Sequence, residues 1–174
     1  VKRAVEEVYK VAETTKGTVY TYGPIIHNEE VVSDLEKKGV KVLETEEDLK
    51  NLTEGTVIIR SHGVPKYIYE LLEERNISYV DVTCPFVLKI HRIVEKESAQ
   101  GKHIVIVGDP NHPEVVGIKG WCQRKATIIK TKEDAKSFLA ESGEKLCIVS
   151  QTTFNYNNFQ EIVEILSEKG YDKL

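Results

Sequence analysis

The sequence predicts an α/β fold made of two duplicated small α/β domains with parallel sheets. Short β-branched stretches alternate with amphipathic helical stretches along the whole chain, which is typical of parallel sheets covered by helices on both faces. The order of motifs in residues 1–84 also recurs in residues 85–174. The period of about 85 to 90 residues is too long for a solenoid and indicates a duplicated domain. We therefore expect a first repeat over 1–84 and a second over 85–174.

The first repeat is read from its hydrophobic periodicity and its turn residues. Gly39 suits the end of a helix, and Pro65 suits the start of one. The predicted elements are, in order, a helix Val1–Glu13, a strand Thr18–Tyr22, a helix Glu29–Lys38, a strand Lys41–Leu43, a short helix and turn over Thr45–Gly55, a strand Thr56–Ile59, a helix Pro65–Arg75 and a strand ending near Cys84.

The second repeat aligns with the first at several motifs in the same order. A helix from Pro85 and Val87 to Gly101 leads into a strand, His103–Val107, and a later strand, Leu146–Val149, precedes a helix over Asn157–Lys169. The aligned pairs are Gly23/His27/Val31 with Gly108/His112/Val115, Thr45–Leu49 with Thr131–Ala135, Thr56–Ile59 with Leu146–Val149, Pro65–Arg75 with Asn157–Lys169, and Asn76 with Gly170.

Composition narrows the class of protein. The formal charge of −4 creates no global field that favours nucleic acid or an anionic membrane. No apolar run approaches the length of a transmembrane helix. Three cysteines are scattered without disulfide-framework spacing, which suits a reducing cytoplasm. We expect a cytoplasmic protein with neither a nucleic-acid nor a membrane partner.

The chain is expected to be part of a longer protein. It contains no methionine, and Val1 already lies in a helical pattern without a cap. The repeat places counterparts of Cys84 about two or three residues before Val1 and about four residues beyond Leu174. We expect a third repeat outside this chain, in a pseudo-three-fold arrangement of which one of three cysteines lies here.

Cys84 is the first candidate for chemistry. A β-branched run delivers it to the end of a strand, and Pro85 then opens an amphipathic helix. The positive pole of that helix would favour a thiolate, which both nucleophilic catalysis and metal ligation require. The alternative is a small buried side chain at a strand end.

Polar residues collect where the predicted strands end. In parallel α/β sheets, ligands bind outside the carboxyl ends of the strands. Imidazole rings that lie next to glycine backbone amides and to hydroxyl groups can bind an oxyanion such as phosphate. Glu114 would act as a proton donor in its protonated form, with Thr152 to orient or relay the proton. Each residue alone also fits a capping or turn role. The set comprises His27, His62, Cys84, His112 with Glu114, and Gln151-Thr152-Thr153.

Other candidates are weaker. We expect His91 and His103 to face solvent or to satisfy local hydrogen bonds, Cys147 to lie in the core, and Cys122 to be a surface or packing thiol. The His112-Pro-Glu114 pattern is similar to that of zinc deaminases, but their Pro-Cys-x-x-Cys companion is absent. Neither a Gly-x-Gly-x-x-Gly motif nor a P-loop is present.

Six motifs together resemble a known family. They are Val1-Lys-Arg-Ala, Ile-His27-Asn, Ser-His62-Gly-Val, Asp-Val-Thr-Cys84-Pro, Asn-His112-Pro-Glu114-Val and Ser-Gln-Thr152-Thr. In this order they resemble the 4-hydroxy-3-methylbut-2-enyl diphosphate reductases, the LytB-type iron-sulfur enzymes that end the methylerythritol phosphate route to isoprenoids. The resemblance covers essentially the whole chain.

The resemblance implies three similar domains around a [4Fe-4S] cluster held by three cysteines, and an electron donor such as ferredoxin or flavodoxin. It implies that Cys84 is the middle cluster ligand and that His27 and His62 bind the diphosphate. His112 would contact substrate near the diphosphate, and Glu114 would donate a proton to the substrate hydroxyl with Thr152 beside it. The family's other two cysteines and its third domain fall outside this chain, so we expect the chain alone to be inactive.

Two other functions remain open on the residues alone. Cys84 could be the nucleophile of a hydrolase or transferase, which requires a histidine within hydrogen-bond reach. The histidines could also form a non-catalytic diphosphate-binding module in which Cys84 is only structural.

Overall fold

The computed structural model describes residues 2–23 and 28–169. The chain divides into two compact units, Val1–Cys84 and Pro85–Leu174. Among the described residues, no helix combines the length and the apolar character needed to cross a membrane.

The first unit contains a four-stranded parallel sheet in the order β2-β1-β3-β4. Its elements are α1 (Lys2–Thr14), β1 (Val19–Tyr22), α2 (Glu29–Lys37), β2 (Lys41–Leu43), α3 (Glu46–Lys50), β3 (Thr56–Ile59), α4 (Lys66–Glu74) and β4 (Ser78–Asp81).

The second unit contains a three-stranded parallel sheet in the order β6-β5-β7. Its elements are α5 (Pro85–Ala99), β5 (His103–Val107), α6 (Pro113–Lys119), β6 (Ala126–Ile129), α7 (Lys132–Ser137), β7 (Leu146–Ser150) and α8 (Tyr156–Glu168). The α/β class with parallel sheets is therefore confirmed. The strand β6 and the helix α6 were not singled out by the sequence pattern.

The strands β3 and β5 are buried on both faces, as their continuous apolar runs predict. In β3, Val57 and Ile59 face one core cluster while Ile58 faces another. In β5, Val105 and Val107 pack on one side of the sheet, and Ile104 with Ile106 pack on the other. Because successive side chains of a strand point to opposite faces, each central strand supports two layers of helices.

The aligned motifs Thr45–Leu49 and Thr131–Ala135 adopt the same local structure. Each begins a short helix with a capping box, in which the threonine hydroxyl accepts from the N3 amide and the N3 aspartate accepts from the cap amide. The predicted helix end at Gly39 is also observed, since Gly39 has φ +89° directly after the cap residue of α2.

The strand that leads to Cys84 ends earlier than predicted. β4 stops at Asp81, whose carboxylate accepts hydrogen bonds from the backbone N–H and the hydroxyl of Thr83. Beyond it, the amides of Val82 and Cys84 still donate to the carbonyls of Ile59 and Ser61. Cys84 thus lies three residues beyond the strand, immediately before α5.

His91 and His103 are both buried. His91 is 1% exposed and stacks on Trp121, with ring centroids 5.1 Å apart. His103 is 2% exposed, and its Nε2 lies 2.7 Å from the Thr127 hydroxyl on the neighbouring strand. Neither ring faces solvent, because helix packing and strand pairing place both inside the second unit, but the alternative expectation of a satisfied hydrogen bond is confirmed for His103.

Candidate active site

The carboxyl edge of the second sheet holds three of the predicted site residues. The segment after β5 leads into α6 and carries His112 and Glu114, and the segment after β7 carries Thr152. β5 and β7 are hydrogen-bonded neighbours whose last paired residues are Val107 and Ser150. Both segments therefore leave the sheet side by side.

His112 is the N-cap of α6. Its backbone is extended (φ −75°, ψ 135°), Pro113 occupies the first turn, and the imidazole Nδ1 accepts a hydrogen bond of 3.1 Å from the Glu114 amide. A ring nitrogen that accepts carries no proton, so the neutral tautomer of His112 has its proton on Nε2. In the neutral tautomer, the hydrogen bond at Nδ1 therefore leaves Nε2–H as the donor of the His112 ring.

Glu114 is buried, and Thr152 binds both of its carboxylate oxygens. Glu114 is 2% exposed. Its Oε1 accepts a 2.6 Å hydrogen bond from the Thr152 amide, and its Oε2 accepts a 2.9 Å bond from the Thr152 hydroxyl. Thr152 itself is exposed. A buried carboxyl group is thus connected to the surface through one hydroxyl, an arrangement that can pass a proton between the two.

The carboxyl edge of the first sheet holds the other described candidates. His62 is half-buried in the turn after β3, where the Gly63 amide donates to the Arg60 carbonyl and Gly63 has φ +76°. Cys84 is half-buried, and its amide donates to the carbonyl of Ser61 at 3.0 Å. His62 and Cys84 therefore belong to neighbouring segments of one sheet edge. His27 lies outside the described residues.

The other two cysteines do not resemble Cys84. Both belong to the core cluster on one face of the second sheet. Burial raises the pKa of the Cys122 thiol to about 11 and also raises the pKa of Cys147. Protonated thiols in apolar surroundings are poor metal ligands, so their assignment as packing and core residues is consistent with the structure.

Comparison with known proteins decides the family. The family model described as "LytB protein" matches residues 1–173. The chain belongs to the LytB family.

Two curated relatives of the chain carry the same name. The chain is 49% identical over 171 residues to the 4-hydroxy-3-methylbut-2-enyl diphosphate reductase of Caldanaerobacter subterraneus subsp. tengcongensis, covering 98% of this chain and 59% of that protein. It is 45% identical over 177 residues to the reductase of the same name from Alkaliphilus oremlandii, covering 100% of this chain and 61% of that protein. The chain therefore spans about 60% of the length of these relatives.

Solved LytB-type structures have the same fold. The Plasmodium falciparum E-1-hydroxy-2-methyl-but-2-enyl-4-diphosphate reductase matches 100% of this chain and 55% of its own, with a TM-score of 0.89 at 28% identity. A second structure, described as the terminal enzyme of the non-mevalonate pathway, matches 99% of this chain and 60% of its own, with a TM-score of 0.83 at 38% identity.

Within residues 2–23 and 28–169, the ligands for an iron-sulfur cluster are incomplete. These residues contain no group of three or more His, Cys, Asp or Glu side chains placed to hold a metal ion. A [4Fe-4S] cluster is held by several thiolates, and Cys84 is the one cysteine here that is neither core nor packing residue. The described residues thus fit one ligand position and do not form the site by themselves.

Sequence reasoning recognised Gln151 only as a polar residue at a strand end. In the structure it is 7% exposed, and its carboxamide bonds to segments on both sides of the Glu114–Thr152 pair. Its position directly after β7 was visible in the sequence, but its partner Asp109 lies 42 residues away.

Proposed function

We propose that the protein of which this chain is part is a 4-hydroxy-3-methylbut-2-enyl diphosphate reductase. The observation that carries the proposal is the buried Glu114 carboxyl held at both oxygens by Thr152, in a chain of the LytB family. The reaction replaces the allylic C–OH by C–H, consuming two electrons and two protons and releasing water. It gives isopentenyl and dimethylallyl diphosphates, with electrons from a donor such as ferredoxin or flavodoxin.

Glu114 and Thr152 supply the proton in this proposal. When Glu114 is protonated, its Oε2–H donates to the Thr152 hydroxyl across the same 2.9 Å contact, and that hydroxyl turns its own hydrogen outward. A proton can then pass from the buried acid through the exposed Thr152 to the leaving hydroxyl, which departs as water. Glu114 is replenished from solvent after product release.

The histidines bind the diphosphate in this proposal. His112 presents the Nε2–H that its helix-capping role fixes, which suits a phosphate oxygen. His62, in the turn that precedes Gly63, is the second binder, and His27 is the third. Binding energy from the diphosphate, remote from the reacting carbon, would hold the allylic end in place for reaction.

Cys84 is proposed to ligate one iron of a [4Fe-4S] cluster. When bound, such a cluster would supply the electrons and the Lewis acidity that removal of the allylic oxygen requires. Because the described residues provide one suitable thiol, the remaining ligands must come from outside them, and we propose that this chain alone is inactive.

The alternative of a cysteine nucleophile is less well supported. It requires a histidine hydrogen-bonded to the Cys84 thiol. Within the described parts of the chain, the recorded hydrogen bond of Cys84 is the one from its backbone amide to Ser61.

The test is the Glu114→Gln variant of the full-length protein. Glutamine keeps the size of the side chain and the acceptor for the Thr152 amide, but it has no acidic proton. We expect KM for the allylic diphosphate within about twofold of wild type and kcat lower by about 10² to 10⁴. Turnover is measured under anaerobic conditions with a reduced dye as electron source.

Glu133→Gln is the matched control, since Glu133 is an exposed carboxylate on α7 of the same unit. It should retain wild-type kcat. Near-normal turnover of Glu114→Gln would assign the proton to another group, and wild-type protein without reductase activity would refute the proposed function.

A further inference from the structure

Gln151 joins the two segments that carry the Glu114–Thr152 pair. Its amide donates to the Val107 carbonyl at 2.8 Å, which extends the β5–β7 pairing by one step. Its side-chain Oε1 accepts from the Asp109 amide at 3.0 Å, and its Nε2 donates to the Thr153 hydroxyl at 3.0 Å. Because a backbone amide can only donate, the contact with Asp109 sets which end of the carboxamide is the oxygen.

Gly108 has no side chain, which leaves room for the Gln151 side chain to lie across its backbone. A Cβ at position 108 would lie 2.8 Å from Gln151 Oε1 and 2.9 Å from Gln151 Cβ, closer than real Cβ contacts. The Gly108 amide itself bonds to the Ile129 carbonyl on the other neighbouring strand. The glutamine therefore occupies a fitted position against the backbone, with its carboxamide buried and both ends bonded.

Asp109 connects Gln151 to the turn that precedes α6. The Asp109 carboxylate accepts from the Asn111 amide at 2.9 Å, and its carbonyl accepts from the His112 amide at 3.0 Å. These bonds form the turn that starts α6, and α6 carries Glu114. On the other side, Thr152 follows Gln151 directly in the chain. Gln151 therefore sets the position of both partners of the pair.

We propose that Gln151 is a positioning residue for proton transfer: it holds the segment after β5 against the segment after β7, so that Thr152 meets both oxygens of Glu114. This rests on the proposed function. A 2.6 Å bond and a 2.9 Å bond to one carboxylate require the two segments to be aligned within a few tenths of an ångström. Loss of such outer hydrogen bonds typically lowers activity about 10- to 100-fold.

The first test is Gln151→Met in the full-length protein. Methionine has similar length and covers Gly108 but bonds to neither Asp109 nor Thr153. We expect kcat to fall about 10- to 100-fold with KM within about twofold. Gln160→Met is the control, since Gln160 is exposed on α8 and, among the described residues, its carboxamide bonds to the Tyr156 hydroxyl. A kcat within about twofold of this control would overturn the proposal.

A second test leaves the buried glutamine intact. Thr153 is exposed, so Thr153→Val removes the acceptor for Nε2 without disturbing the core, whereas Thr153→Ser keeps it. We expect Thr153→Val to lower kcat about two- to tenfold and Thr153→Ser to restore the wild-type value. Equal kcat for the two variants would overturn the proposal. If Gln151→Met does not fold, the comparison of Thr153→Val with Thr153→Ser tests the positioning role by itself.

A third readout does not depend on turnover. The Thr152 amide should exchange slowly with deuterium despite its exposed side chain, because it is bonded to Glu114. We expect exchange at least about tenfold faster in Gln151→Met than in Gln160→Met. Unchanged exchange would refute the positioning role. Wild-type protein with a protected Thr152 amide but without reductase activity would instead refute only the proposed reaction.

Discussion

Removing the Thr152 hydroxyl should destabilise the protein even though Thr152 is exposed. Glu114 Oε2 is buried, and the Thr152 hydroxyl is its recorded hydrogen-bond partner among the described residues. Thr152→Val leaves that oxygen without this partner, while the amide bond to Oε1 remains. Leaving a buried acceptor without its hydrogen bond costs about 1 to 3 kcal/mol, and an exposed Thr→Val change alone contributes less than about 0.5 kcal/mol.

Urea unfolding of the full-length protein, followed by far-UV circular dichroism, measures this loss. With a slope of about 2 kcal/mol per molar urea, the midpoint should fall by about 0.5 to 1.5 M. Thr152→Ser is the matched control because it keeps the hydroxyl and removes only an exposed methyl group. If the two variants unfold within about 0.5 kcal/mol of each other, the hydroxyl does not bond to a buried carboxylate as the structure indicates.

Two further predictions concern the cysteines and the backbone. Burial raises the pKa of Cys122 to about 11, so its alkylation rate should rise about tenfold per pH unit from pH 8 to pH 10. Peptide mass spectrometry can measure this rate, and a plateau below pH 9 would contradict the prediction. Asn76 is exposed after α4 and has φ +56°. Asn76→Gly should therefore leave the free energy of unfolding unchanged, while Asn76→Val should lower it by about 1 to 2 kcal/mol. Equal urea midpoints for the two variants would show that a β-branched residue is not strained in this conformation.

Much of the fold was predictable because its signals are local. Apolar β-branched runs such as Val105 with its neighbours predict buried parallel strands, and the polar stretch Thr45–Gly55 predicts a short helix followed by a turn. The positive φ of Gly39 follows from the residue type at a helix end. Each of these depends on residues only a few positions apart.

Part of the site was equally local. The imidazole cap on the Glu114 amide uses a spacing of only two residues, with Pro113 between His112 and Glu114. The sequence therefore indicated that His112 and Glu114 act at a strand end. The sequence could not distinguish a helix-capping role from a binding role for these residues, because both roles have the same local pattern.

The tertiary structure decided which side chains meet. Thr152 lies 38 residues from Glu114, and the bond between them exists because β5 and β7 pair in one register. The burial of His91 against Trp121 also depends on packing between segments that are distant in the chain. The sequence by itself determined the α/β class and the residues available at the strand ends, since these follow from short-range propensity and periodicity. Only the folded sheet determined the carboxyl–threonine pair and the glutamine that positions it, because contacts across tens of residues depend on strand register and close packing.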